Sequence, residues 1–289
     1  MKFAWQIFIY FDYFFLEKKM KKVSKVFLLA MLVLTAFSSA FAAKKSKGDN
    51  SVEDLQKRKV FVLGLDDSFP PLGFRDEKNQ IAGYDIDLAK EVAKRLGVKF
   101  KAQPIQWDAK EQELNTGKID CIWNGFTITA ERQQALSFTK AYLDNEQVVV
   151  VKANSGITKL SDLAGKKIGL QSGSSAQEAV EDSPAFKASV KSIVMFKDNL
   201  MALNDLEIGQ VDGVVMDSIV ANYSITTTKK PFTVVEEPLA TEAYGIGFRK
   251  SDVKLRDKVQ SILEEMQKDG TVTAISTKWF GKDISAIGK

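Results

Sequence analysis

Two stretches of this chain say nearly the same thing, GKIDCIWNG from Gly117 and GQVDGVVMD from Gly209. Each opens on glycine, passes through a polar residue, a β-branched residue and an aspartate, and enters an apolar run. Glycine after a helical pattern suits a left-handed helix cap. A short apolar run bounded by turn residues suits a buried strand. The segments before each phrase also share an order. In the first copy the patterns predict a strand at Val60–Leu65, a helix from Asp85 stopped at Gly97, a strand at Val98–Ala102, a helix at Asp108–Asn115 and a strand at Ile119–Trp123. In the second they predict a strand at Lys167–Leu170, a helix from about Ala176, a strand at Val190–Phe196, a helix at Asn199–Ile208 and a strand at Val211–Met216. Strand and helix in alternation imply parallel sheets with covering helices, an α/β fold built from two similar units. The repeated strands then deliver Asn124-Gly125 and Asp217 to their carboxyl ends, where open α/β sheets bind ligands.

Two extended segments flank the second unit, Asn145–Gly156 and Ala243–Lys250. A helix at Lys254–Lys268 and a last helical stretch ending in KWFGK follow. A chain that leaves one lobe and returns to it by two extended segments makes a hinge. The expected division is lobe 1 from 55–144 and 245–289, lobe 2 from 149–239, and hinge segments at about 144–149 and 239–245.

The first 43 residues stand apart. A basic patch at Met20–Lys25 precedes an uncharged apolar run, Val26–Phe37, too short for a stable membrane anchor. Small residues in an A-x-A arrangement follow, which completes a secretory signal peptide. Residues before Met20 fit a leader poorly, and Met20 is the expected translation start. Residues 44–54 read as a flexible tether. The single cysteine, Cys121, sits in an apolar run far from the cleavage signature, so neither a lipid anchor nor an intramolecular disulfide is expected. These features predict a soluble, monomeric protein of the periplasm. Of 41 Lys and Arg and 37 Asp and Glu, six and two fall in residues 1–42, so the remainder balance. A neutral mature chain gives no reason to expect nucleic acid as a partner.

The phrase GYDIDLAKEVAKRLGV (Gly83–Val98) carries a resemblance, as do FTITAERQQALSFTKAY (Phe126–Tyr142), the GSS of Gly173–Ser175 and the closing DGTVTAISTKWFG. In this order and spacing they resemble the periplasmic solute-binding proteins of ABC transporters for polar amino acids, of the glutamine-, histidine- and lysine/arginine/ornithine-binding type. The likeness runs from about Val60 to Phe280. It implies the two-lobed type II periplasmic-binding-protein fold, whose α/β lobes close on a ligand, and a free polar or basic L-amino acid and a membrane permease as partners.

The resemblance also implies roles for particular residues. Arg132 would bind the α-carboxylate, for which a planar guanidinium offers two parallel hydrogen bonds; Thr129 is placed to cap the helix that carries it. Gly125 and Thr127 would offer backbone groups and a hydroxyl. Ser175, at a helix N-terminus that favours anions, would meet the same carboxylate from the second lobe. Asp217 would pair with the α-ammonium, and a bare reading makes it the N-cap of the next helix as well. Phe69 and Trp107 would sandwich the ligand side chain. Asp66 would reach its far end, while Asp67 is expected to be solvated. Asn124 stands where the basic amino-acid binders carry a small hydroxyl residue, and its amide can both donate and accept. No motif assigns a place to Gln171.

An enzyme of this fold, a dehydratase of prephenate-type substrates, is the alternative. The chain has no histidine, which excludes histidine-based triads and histidine metal ligands, and one cysteine excludes a zinc thiolate cluster. No cofactor is expected. A receptor that reports to a membrane sensor is the third reading, acting in trans because no second hydrophobic span is apparent.

Overall fold

The computed structural model describes residues 48–289. The expected leader, residues 1–43, and the start of the expected tether lie outside that range. Within it, the tether gives way at Ser51 to a helix, Ser51–Arg58. Leu55 on that helix is buried, Asp49 accepts from the Lys254 amide (2.6 Å) and Ser51 Oγ from the Leu255 amide (3.1 Å). These contacts staple the segment to the Val253–Lys268 helix, so residues 51–54 are structured rather than flexible.

In chain order the strands are β1 (Val60–Leu65), β2 (Ser68–Phe69), β3 (Gly73–Arg75), β4 (Ile81–Ala82), β5 (Lys99–Pro104), β6 (Cys121–Thr127), β7 (Leu136–Phe138), β8 (Leu143–Lys152), β9 (Lys167–Gln171), β10 (Ser192–Phe196), β11 (Gly213–Asp217), β12 (Phe232–Val234) and β13 (Ala240–Arg249). The main sheet runs β10-β9-β11-β8-β13-β6-β1-β5, with β12 on β8 and β7 on β13. Each α/β unit is a parallel trio, β5-β1-β6 or β10-β9-β11. The trios meet through two ten-residue antiparallel strands, β8 and β13. One half of β8 (Leu143–Gln147) pairs with β13 and the other (Gln147–Val151) with β11, while β13 continues onto β6. The short β2-β3-β4 sheet, which propensity does not reveal, positions Phe69.

The two copies of the repeated phrase begin their strands later than the apolar pattern suggests, at Cys121 and Gly213. Their aspartates explain the delay. Asp120 donates its amide to the Val62 carbonyl (2.7 Å) and accepts the Val62 amide on Oδ2 (2.8 Å). Asp212 does the same with Lys167, both at 2.8 Å. In each unit the side chain replaces one rung of the ladder with the first strand. Asp120 also binds Arg58 (2.7 Å). Gly209 caps its helix with φ 78°, and Gly117 has the same φ just beyond its own.

Core packing follows the predicted periodicities. The Tyr84–Arg95 helix buries Ile86, Leu88, Ala89, Val92 and Ala93, and Val253–Lys268 buries Leu255, Val259, Ile262, Leu263 and Met266. Both are one apolar stripe at helical spacing. Along β6, Cys121 and Trp123 join one core, and Ile122 and Phe126 join the core on the opposite face. Trp123 is therefore a core residue, edge-on to Tyr142, and burial pushes the Cys121 thiol up, away from reactivity. No helix among the described residues is long and apolar enough to cross a membrane.

Asp85, from the GYDID phrase, supports β6 from below. Its Oδ2 accepts from the Gly125 amide and from Tyr142 Oη, both at 2.9 Å, while Oδ1 is buried without a partner. Burial pushes this carboxyl up to about 7. A folded-state value above the unfolded one means the native protein holds the proton more tightly. Asp85 therefore contributes most stability below the ordinary carboxylate range and loses that contribution as pH rises through about 7. Asp85→Asn keeps an acceptor for Gly125 and cannot ionise. Its melting temperature should decline less than that of the wild type between about pH 5 and 8; parallel melting curves across that range would contradict the assignment.

Candidate functional site

The carboxyl ends of β6 and β11, with the β2 and Trp107 segments, converge on one cavity between the two units. Its walls include Asp66, Phe69, Trp107, Asn124, Gly125, Arg132, Ser175 and Asp217, together with Gln171 and Ser174. Thr127 joins them through Ser175, donating from Oγ1 to Ser175 Oγ at 2.9 Å. The cavity encloses only about 10 Å³, the room of a single water. Its walls touch across the gap, as in the Thr127–Ser175 and Gln171–Asp66 contacts. A cleft of about 820 Å³ leads outward from Asp66 and Trp107.

Thr129 caps its helix, Ala130–Ala135, accepting from the Arg132 amide on Oγ1 (3.2 Å). That cap fixes the first turn and points the guanidinium inward, where Arg132 is only 4% exposed. Nη1 donates to the Thr127 carbonyl (3.0 Å) and the guanidinium lies 4.7 Å above the Phe126 ring. Nη2 sits 2.6 Å from Glu178 Oε1 across the gap, an ion pair whose angle falls short of a hydrogen bond. Burial pulls the arginine downward in pKa and Glu178 opposes it. Nearby Lys110 donates to the Gly173 carbonyl (2.8 Å) and covers Trp107 at 5.2 Å, and burial brings its ammonium down to about 8.

Asp217 sits at the N-cap position of the Ser218–Thr228 helix, but its side chain makes no cap bond. Three buried donors draw it away. Oδ1 accepts from Asn145 Nδ2 (3.0 Å), Gln147 Nε2 (3.0 Å) and Tyr244 Oη (2.6 Å). Burial first, and Glu242 second, push its carboxyl well above the usual range. Ser175 opens the Ser175–Glu181 helix as expected, with Ser174 as its cap, and also accepts from Gln147 (3.1 Å).

At the other end, Asp66 accepts from Ser68 Oγ (2.5 Å), the Ser68 amide (3.0 Å) and Gln171 Nε2 (2.7 Å). Burial raises its pKa. Gln171 thus reaches across the gap, the place the sequence leaves unassigned. Asn124 Oδ1 accepts the Asp66 amide (3.0 Å), and its buried Nδ2 has no partner. Phe69 and Trp107 are both largely buried, Trp107 edge-on to Phe126 at 5.8 Å. Two expectations change. Asp67 is not simply solvated, since Arg75 Nε pairs with it at 2.5 Å. Gly125 adopts φ 57° and turns its amide into the Asp85–Tyr142 pair, so that N–H is not free for a ligand.

Sequence reasoning misses Asn145, Gln147, Glu242 and Tyr244. All lie at alternate positions on β8 and β13, behind the cavity wall: Asn145, Gln147 and Tyr244 bond to Asp217, and Glu242 to Ser175. The signal is faint: polar residues spaced by two at the polar ends of otherwise apolar strands.

A family model for bacterial extracellular solute-binding proteins, family 3, matches residues 61–282. The L-cystine-binding protein TcyJ of Escherichia coli K12 is 28% identical over 256 residues, spanning 88% of this chain and 95% of TcyJ. Among solved structures, an ABC uptake transporter substrate-binding protein from Streptococcus pneumoniae with bound histidine superposes with a TM-score of 0.80 at 38% identity, over 83% of this chain and all of the other. The ancestral amino acid-binding protein AncCDT-1, a precursor of cyclohexadienyl dehydratase, superposes with a TM-score of 0.74 at 33% identity, over 80% of this chain and 99% of the other. With a two-unit α/β fold, a cavity between the units and a family match across nearly all of the described residues, the chain belongs to the bacterial extracellular solute-binding proteins of family 3.

Proposed function

We propose that this protein captures a free polar amino acid outside the cytoplasm, in the periplasm, and presents it to the permease of an ABC transporter. The observation that carries this reading is the placement of a guanidinium and a carboxyl group on opposite walls: Arg132 from the β6 side and Asp217 at the end of β11. A zwitterion is the ligand that satisfies both at once. Its carboxylate would take Arg132, Thr127 and Ser175, displacing Glu178. The α-ammonium would lie at Asp217. Its side chain would pass between Phe69 and Trp107 toward Asp66 and Asn124, where donor and acceptor groups favour a polar end. The proposed lobes are 55–144 with 245–289, and 149–239. They would hinge about the middle of β8 and the start of β13, because those strands run through both halves.

Closure then follows from differential binding. Only a ligand that spans both walls gains from the closed form, and that gain shifts the population toward it. The relatives support a receptor that does not turn its ligand over. The AncCDT-1 likeness keeps a dehydratase as the second reading, which turnover of a prephenate-type substrate by the purified protein would establish.

Thermal unfolding against the twenty amino acids, ornithine, citrulline and cystine tests the proposal. A ligand at a hundredfold excess over its Kd stabilises the native state by about 2.7 kcal/mol, a rise of roughly 5–10 °C for a protein of this size. No shift with any of them would contradict it. Arg132→Ala should weaken the responding ligand by at least roughly 100-fold, as loss of one partner of a buried charge pair does. Unchanged affinity in titration calorimetry would remove Arg132 from the carboxylate role.

A further inference from the structure

Glu242 belongs to no motif, yet strand register gives it a defined position. Across β8 and β13 its Cα partner is Asn145, and across β8 and β11 the partner of Asp217 is Gln147. Asn145 and Gln147 are two residues apart and share one face of β8. Asn145 Nδ2 donates to Glu242 Oε1 at 2.6 Å and to Asp217 Oδ1 at 3.0 Å; Gln147 Nε2 donates to the same two oxygens at 2.9 and 3.0 Å. Two amide groups thus clamp two carboxylates side by side. Ser175 Oγ adds a longer bond to Glu242 (3.4 Å).

Carboxylates so close, in a largely buried place, do not both stay ionised without a cation. The groups facing them are Asn145, Gln147, Ser175 and Tyr244, all neutral, and beyond these Arg132. Arg132 is turned toward Glu178 and the Thr127 carbonyl. Among the described residues no lysine or arginine nitrogen stands within ion-pair distance of either carboxylate.

We propose that Glu242 is a specificity-determining residue that, paired with Asp217, binds the ligand's primary ammonium in exchange for a proton. This rests on the amino-acid reading of the cavity. Burial and the neighbouring Glu242 both favour a protonated Asp217, so the pair carries one proton before a ligand arrives. The incoming ammonium brings one positive charge and the proton leaves to the buffer, so the charge of the site is conserved. A lone carboxylate would accept many donors. The pair selects a full positive charge at the α position and disfavours α-hydroxy and N-acyl analogues.

The sign of the pH dependence follows. Protons compete with the ligand, so affinity rises with pH from the ordinary carboxylate range toward the raised value of Asp217. Titration calorimetry in phosphate and imidazole buffers at about pH 6, which differ in ionisation enthalpy, counts the protons exchanged. The probes are L-arginine, L-glutamine, L-histidine and L-cystine, and subtracting the variant's count from that of the wild type cancels titration of the probe itself. Wild type should release measurably more protons per ligand than Glu242→Gln, in which burial alone still raises Asp217, and the variant should bind roughly tenfold more weakly. Glu242→Asp, which keeps the charge, should retain the release and guards against a folding defect in the first variant. Equal proton counts in wild type and Glu242→Gln overturn the role of Glu242 whatever their affinities. Failure of the wild type to bind these probes and every other amino acid of the thermal screen overturns the amino-acid reading itself, and this proposal with it.

Discussion

The pairing of β8 with β13 is the constraint on which the rest of the structure depends. Among the described residues, these two strands alone run through both halves of the main sheet. Their outer ends build each half into its own parallel trio. Their shared middle, Leu143–Gln147 against Ala240–Tyr244, carries Asn145, Gln147, Glu242 and Tyr244, which bond to Asp217 and Ser175 of the cavity wall. One ladder of backbone hydrogen bonds therefore joins the units and carries the polar groups that hold Asp217.

The repeated phrase acquires a physical meaning from its aspartates. Asp120 and Asp212 each clamp the first strand of their own unit with a reciprocal pair of hydrogen bonds to one residue. The likeness of the copies serves the scaffold. Their difference serves the cavity: the first strand continues through Asn124 and Gly125 to Thr127 and the arginine beyond, and the second ends at Asp217.

Much of the scaffold was legible because it rests on periodicity. The Asn199–Ile208 helix appears with its expected ends, and the two-unit order follows from alternation of strand and helix. Short strands such as β2, β7 and β12 carry too few residues to show a period. The third strands begin late because Asp120 and Asp212 use side chains where backbone pairing is expected. Residues 51–54 look like tether in composition, yet contacts to a helix some two hundred positions away order them. Charged positions carried by the resemblance, Arg132 and Asp217, line the cavity together. Asn145, Gln147 and Glu242 escaped because a polar residue near a strand end reads as solvent-facing, and only the register across three strands turns it inward. The cap expected of Asp217 failed for the same reason, since buried donors on β8 and β13 outcompete the helix amides.

Four contacts cross the gap between the cavity walls: Arg132 with Glu178, Lys110 with the Gly173 carbonyl, Gln171 with Asp66, and Thr127 with Ser175. Each joins a group proposed to meet a ligand to one on the facing wall, or sits beside such a group. A zwitterion would exchange several of them for its own carboxylate and ammonium. The most direct test is a crystal structure with the amino acid that stabilises the protein most. The account predicts its carboxylate in a two-pronged contact with the Arg132 guanidinium and its ammonium about 3 Å from Asp217. A carboxylate bound away from Arg132, or a ligand seated outside this cavity, would contradict it.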